Sequence, residues 1–189
     1  MNKIFTVIFA VALVSIITIS GTATASAKGN QKQPIDISAT LFVTGISDPE
    51  TNPNSGWSTI ESETLVGGLV TVNAGPAILG TTVISAQQSS HEQFTSDFLP
   101  AANVKKGKSK GTFYLTSYLG GDPLVVGKYS IKVSSIPGCQ IWGDGKWKSK
   151  AKNSIIDGHG KITVCTNFVP AYGTFVSQVT VTGNAALVD

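Results

Sequence analysis

The 189-residue chain is 41% hydrophobic and only 13% charged, with 20 Gly, a composition that excludes a coiled coil, a collagen-like chain and a disordered acidic tail. Its formal net charge is +3, and no Arg occurs among its 14 basic residues, so no guanidinium is present to grip phosphate or carboxylate in a bidentate fork. Two Cys and two His leave little room for imidazole catalysis or a Cys/His metal site.

In chain order, Met1-Asn2-Lys3 gives a short positive start, Ile4 to Ile19 is an apolar run, and a small polar stretch ends at Ala25-Ser26-Ala27. This is the pattern of an export signal cleaved after Ala27. The run falls short of the roughly 20 residues that span a bilayer, and no second run of that length follows. The sequence therefore predicts a secreted, extracytoplasmic protein with no membrane span after signal cleavage. Beyond the signal peptide (1–27), residues 28–38 lack any pattern and read as a disordered segment. Residues 39–189 are long enough for one all-β domain with one core.

Runs rich in β-branched and aromatic residues then alternate with Gly, Pro, Asn and Asp, which is how strands are punctuated. The predicted strands are Ala39–Gly45, Trp57–Glu63, Leu65–Val72, Ala77–Ala86, Glu92–Phe98, Thr112–Leu119, Lys128–Ser134, Gln140–Trp142, Lys146–Ile155, Lys161–Phe168 and Thr174–Thr182. Only Ser85–Ser96 is polar enough to suggest a loop or a short helix. A weak repeat of Gly, Thr or Lys, then a large residue occurs at Gly111-Thr112-Phe113, Gly127-Lys128-Tyr129, Gly145-Lys146-Trp147, Gly160-Lys161-Ile162 and Gly173-Thr174-Phe175. Gly is expected to end a turn, and the third residue to be the first on the core face. Gly143-Asp144-Gly145 and Asp157-Gly158-His159-Gly160 read as tight antiparallel turns.

The predicted fold is all-β, an antiparallel meander closed as a barrel so that no long edge is exposed. The alternative is an immunoglobulin-like sandwich. It rests on Gly127 to Val133, which resembles the strand that carries a tyrosine corner in such domains, although Ile131 stands where Cys is usual. In an oxidising compartment Cys139 and Cys165 are expected to form a disulfide.

Charge is unevenly placed. Residues 28–104 hold two Lys and seven acids, and residues 105–189 hold eleven Lys and four acids. In the segment Lys146-Trp147-Lys148-Ser149-Lys150-Ala151-Lys152 a strand would align Lys146, Lys148, Lys150 and Lys152 on one face, with Trp147, Ser149 and Ala151 on the core side. Lys128 and Lys132 alternate with Tyr129, Ile131 and Val133 in the same way, and Lys161 opposes Ile162. Lys105 to Lys110 reads as a charged loop. If these faces adjoin, they form a basic surface for an anionic polymer or a cell-envelope component. The competing reading is that these Lys guard strand edges against pairing with other chains. Without Arg or an exposed aromatic platform, sequence-specific nucleic acid is not an expected partner.

An eight-stranded barrel can also hold a small ligand, and Phe113, Tyr129, Trp142, Trp147 and Phe175 are the candidate lining residues. Asp48 to Asn54 spaces side-chain oxygens as calcium loops do, but Pro53 stands where the sharp turn needs Gly, so no metal is expected. Neither His91-Glu92 nor Asp157 with His159 comes with a nucleophile or a third partner, so no catalytic residue and no cofactor is expected. The leading expectation is a secreted non-catalytic β domain that binds through its Lys-rich face. The alternatives are a barrel-type carrier of a small apolar ligand, and a barrel-mouth enzyme such as an isomerase.

Overall fold

A computed structural model describes residues 31–47, 50–94 and 104–188, so the predicted export signal lies outside the described residues. Ten strands follow one another: β1 (Gln33–Ile46), β2 (Glu50–Asn52), β3 (Trp57–Leu69), β4 (Thr71–Ala74), β5 (Thr82–Phe94), β6 (Val104–Ser117), β7 (Pro123–Ile136), β8 (Cys139–Ser149), β9 (Ile156–Val169) and β10 (Thr174–Leu187). Short 3-10 turns occupy Ala77–Thr81 and Ala151–Asn153. All strands belong to one antiparallel sheet. From β5 to β10 it is a meander, β10 pairs with β1, and β1 pairs with β3, which pairs with β5. The pairings thus close a ring of eight strands, which do not lie evenly round an axis, with β2 and β4 as additions.

Alternation explains most of these strands. In β1, Ile35, Ile37, Ala39 and Leu41 are buried, while Asp36, Ser38 and Thr40 are not. The chain therefore enters the sheet at Gln33, and residues 33–38, expected to be disordered, are strand. In β7, Val125, Gly127, Tyr129, Ile131 and Val133 face inward, with Lys128, Ser130 and Lys132 outward. The hydroxyl of Tyr129 donates to Gln88 Oε1 at 2.9 Å, across the interior on β5. A tyrosine corner would instead reach backbone a few residues upstream.

The glycines require the largest correction. Gly143-Asp144-Gly145 lies inside β8, and Asp157-Gly158-His159-Gly160 lies inside β9. Neither is a turn, so the predicted Gln140–Trp142 strand and the start of the predicted Lys146–Ile155 strand are one element. That element stops at Ser149, and β9 begins at Ile156. In the repeat, only Gly173 ends a turn, with φ +64°. The other glycines sit in the ladders opposite larger neighbours: Gly111 faces Tyr129, Gly127 faces Phe113, Gly145 faces Ile131 and Gly160 faces Trp147. A Cβ at Gly127 would lie 2.8 Å or less from atoms of the Phe113 ring, and one at Gly111 would lie 2.7 Å from Tyr129 Cζ. Gly111 and Gly127 therefore make room for a ring on the next strand, whereas a Cβ at Gly145 or Gly160 would meet the backbone of a neighbouring strand, at Ser130 and Thr182. The second half of the expectation holds, since Phe113, Tyr129, Trp147, Ile162 and Phe175 are all buried.

The other differences have the same origin. Trp57–Glu63 and Leu65–Val72 merge into β3, whose pairing with β5 shifts register between Ile60 and Glu63. The Ser85–Ser96 segment, polar enough to suggest a helix, is strand to Phe94, and residues 95–98 lie outside the described residues. At one end of the ring the 3-10 turn 77–81 buries Leu79 completely, with Ile35, Val125, Ile156 and Ala185 in the same core.

Cys139 and Cys165 form a disulfide with their Cα atoms 5.3 Å apart. The β8–β9 ladder starts at Ile141 opposite Thr166, so the bond fastens the end of β8 just beyond the ladder. There the Gln140 backbone N–H also donates to Asn167 Oδ1 at 2.9 Å. The sequence separation of 26 corresponds to about 3.5 kcal/mol of chain-entropy stabilisation. Replacing both Cys by Ser is therefore expected to lower the melting temperature by about 10 °C with the fold retained. An unchanged urea midpoint would show that the hydrogen bonds at Gln140 suffice.

Candidate functional site

The outer face of four adjoining strands carries the positive charge. On β6 it presents Lys106, Lys108 and Lys110, on β7 Lys128 and Lys132, on β8 Lys146 and Lys148, and on β9 Lys161, all exposed. The registers set three lysine pairs directly across strands: Lys108 opposite Lys132, Lys128 opposite Lys148, and Lys146 opposite Lys161. Neighbouring strands lie about 4.8 Å apart, and alternate residues along a strand about 6.7 Å apart, so the ammonium groups form a two-dimensional grid. The acids facing outward on these strands are Asp144, opposite Lys132, and Asp157. Like charges directly opposite each other are destabilising.

The grid differs in two ways from the predicted row of four Lys on one strand. Lys150 continues the extended backbone past the end of β8, at φ −130° and ψ 142°, and Lys152 lies in the 3-10 turn. The chain turns there, so Ala151 is exposed instead of facing the core. In exchange β6 contributes, since Lys105 to Lys110 is strand and not a loop. Its inward positions are Gly107, Ser109 and Gly111, which show no apolar alternation. The signal in the sequence was Lys at every second position, with Gly107 and Ser109 between, the same Lys spacing as in residues 146–150.

At the margin of the grid, Trp57 and His91 stack with ring centroids 4.2 Å apart, and Lys106 Nζ lies 5.6 Å from the Trp57 ring centre. His91 Nδ1 is 3.0 Å from the Thr59 hydroxyl. His159 is exposed on the outer face of β9, opposite Lys148 and Asn184. Both imidazoles therefore lie outside the ring, remote from its interior. The Asp48 to Asn54 segment places Glu50–Asn52 in β2, and residues 48 and 49 lie outside the described residues.

The ring encloses a cavity of about 70 Å³, measured to the centres of water-sized molecules. Of the residues predicted to line it, Phe113, Tyr129 and Phe175 do. Trp147 is buried inside the ring but packs edge-on against Phe113, at 6.2 Å between centroids, and its indole N–H donates to the Thr182 carbonyl at 3.0 Å. Trp142 belongs to the outward-facing set of β8, in register with Ser134 and Cys165, so it is not a lining residue. The sequence reading missed the polar groups inside. Gln88 Oε1 accepts from both Tyr129 and Ser109, the latter at 3.1 Å, and the Thr166 and Ser177 hydroxyls bond each other at 2.8 Å.

Comparison with known proteins finds no matching family model, no matching curated protein and no matching solved structure.

Proposed function

We propose that the protein is a secreted, non-catalytic binding domain that lays the lysine grid of β6 to β9 against a repeating anionic polysaccharide of a cell envelope or matrix. The observation that carries this reading is the set of three lysine pairs set directly across strands. Edge protection cannot account for them, because these strands are interior to a closed ring and have no free edge. Solubility needs dispersed charge, not paired like charge that costs stability. A grid of ammonium points on the outer face of the ring suits a polymer with a carboxylate or sulfate on each repeat. Base-specific recognition would need bidentate donors, and Lys supplies point charges. The disulfide agrees with an extracytoplasmic location, and among the described residues no helix is long and apolar enough to cross a membrane.

Heparin serves as the test polymer. The exported chain is expected to bind it at about 0.15 M salt and to lose about 10³-fold in affinity between roughly 0.05 and 0.2 M. Replacing Lys128, Lys132, Lys146 and Lys148 together by Ser should weaken binding by about 100-fold or more, and should leave the melting temperature unchanged or raised as repulsion is relieved. Full retention of binding by this variant would overturn the proposal, as would tighter binding of duplex DNA than of heparin at equal salt.

A further inference from the structure

We propose that the ring interior is a second binding site, taking one small, uncharged, largely apolar molecule that carries a single carbonyl or hydroxyl group. Three observations converge on it. The cavity walls are apolar side chains such as Leu65, Ile84, Phe113 and Ile131, and among the described residues none of the lining side chains is charged. At about 70 Å³ to the centres of water-sized molecules the cavity exceeds several-fold the roughly 10–15 Å³ that holds one water, which suits an occupant of a few heavy atoms.

The second observation is a concentrated set of polar groups. Gln88 Oε1 already receives two hydroxyl protons, from Tyr129 and Ser109. That arrangement fixes the amide and leaves its nitrogen to donate, and no hydrogen bond from that nitrogen forms among the described residues. The third is Ser90, two positions along the same strand and opposite Ser109. It is 2% exposed, and its hydroxyl has no hydrogen-bond partner. A buried hydroxyl left unpaired is destabilising, so a core built only for packing would favour Ala there. The Gln88 amide nitrogen, a donor in an otherwise apolar lining, matches one oxygen on an apolar molecule, and Ser90 lies just beyond that lining. Ile46, Phe175 and Ser177 line the cavity toward the end where β1 finishes and β10 begins, and Leu79 fills the opposite end.

The test uses benzene, a small neutral apolar molecule that the lysine grid does not attract, with binding read from NMR shifts of the methyl groups that line the cavity. The exported chain is expected to bind it saturably at one per chain. Ala86→Leu and Val164→Phe, which fill the chamber from two different strands, should each weaken binding by at least tenfold while melting as the wild type does. The variant with the four Lys of the grid replaced by Ser should bind as tightly as the wild type, which separates this site from the outer face. Competition by a small ketone or alcohol should be stronger than by the matching alkane, and Gln88→Leu should erase that difference. No saturable binding by the wild-type chain would overturn the proposal, and so would undiminished binding by both filled variants. If one filled variant fails to fold, the other decides.

Discussion

Gly160→Ala is expected to cost at least about 3 kcal/mol, while Gly45→Ala moves the urea midpoint little. The difference lies in what the added methyl group meets. At Gly45 nothing lies within 4 Å of the new carbon. At Gly160 it would lie 2.6 Å from Gly183 Cα, 2.8 Å from the Thr182 carbonyl carbon, and closer still to the Thr182 oxygen. All three are backbone atoms of β10, which runs in ladder with β9 from Thr174 to Leu187. No rotamer change relieves the collision; the two strands must part. Losses of this size are rare for single substitutions and point to a specific mechanism, and they consume a large share of the roughly 5–15 kcal/mol that holds an ordinary domain together. A Gly160→Ala midpoint equal to that of the wild type would show that β9 and β10 separate more easily than their register implies.

The second large effect is expected at the residue facing that glycine. Trp147 is 3% exposed and stands opposite Tyr129 on one side and Gly160 on the other. Trp147→Ala should cost about 3–5 kcal/mol, as deleting a buried aromatic does. Trp147→Phe keeps a ring against Phe113 but removes the N–H that the Thr182 carbonyl accepts, so it should cost about 1–3 kcal/mol. Equilibrium denaturation of both variants checks the ordering. If Trp147→Phe proved as damaging as Trp147→Ala, the indole N–H would outweigh the ring's packing. Because Trp147 and Gly160 share one rung, their losses should not add in a double variant.

The same rung shows where sequence reading succeeds and where it fails. β7 was legible because large apolar residues alternate with Lys along it. The all-β class, the meander and the Cys139–Cys165 bond were legible for similar reasons, since each rests on local pattern or compartment chemistry. β8 and β9 were misread because their inward positions include Gly143, Gly145, Gly158 and Gly160. Glycine in a turn and glycine pressed against a neighbouring strand are identical in one dimension, and only the register tells them apart. The lysine grid was half legible. Lys128, Lys132, Lys146 and Lys148 were identified from alternation, whereas Lys106, Lys108 and Lys110 were hidden by small inward neighbours. Gln88, Ser90 and Ser109 were invisible as a group, because they meet through the pairing of β5 with β6 and the reach of Tyr129 from β7. Trp142 was assigned to the interior for its size, although its even-numbered place in β8 puts it on the side of Lys146 and Lys148.

The seam of the ring joins the first strand to the last, with Gln33 paired to Ala185 and Phe42 to Val176. Contacts so distant along the chain form late, because the entropy of closing the intervening loop must be met before they give anything back. While the C-terminal strand is still missing, β1 and β9 each offer a row of unpaired backbone groups to any other chain nearby. The order of events during synthesis thus matters as much as the finished architecture. A polypeptide of this topology closes its ring safely only if its strand edges stay unpaired until its final segment arrives to seal it.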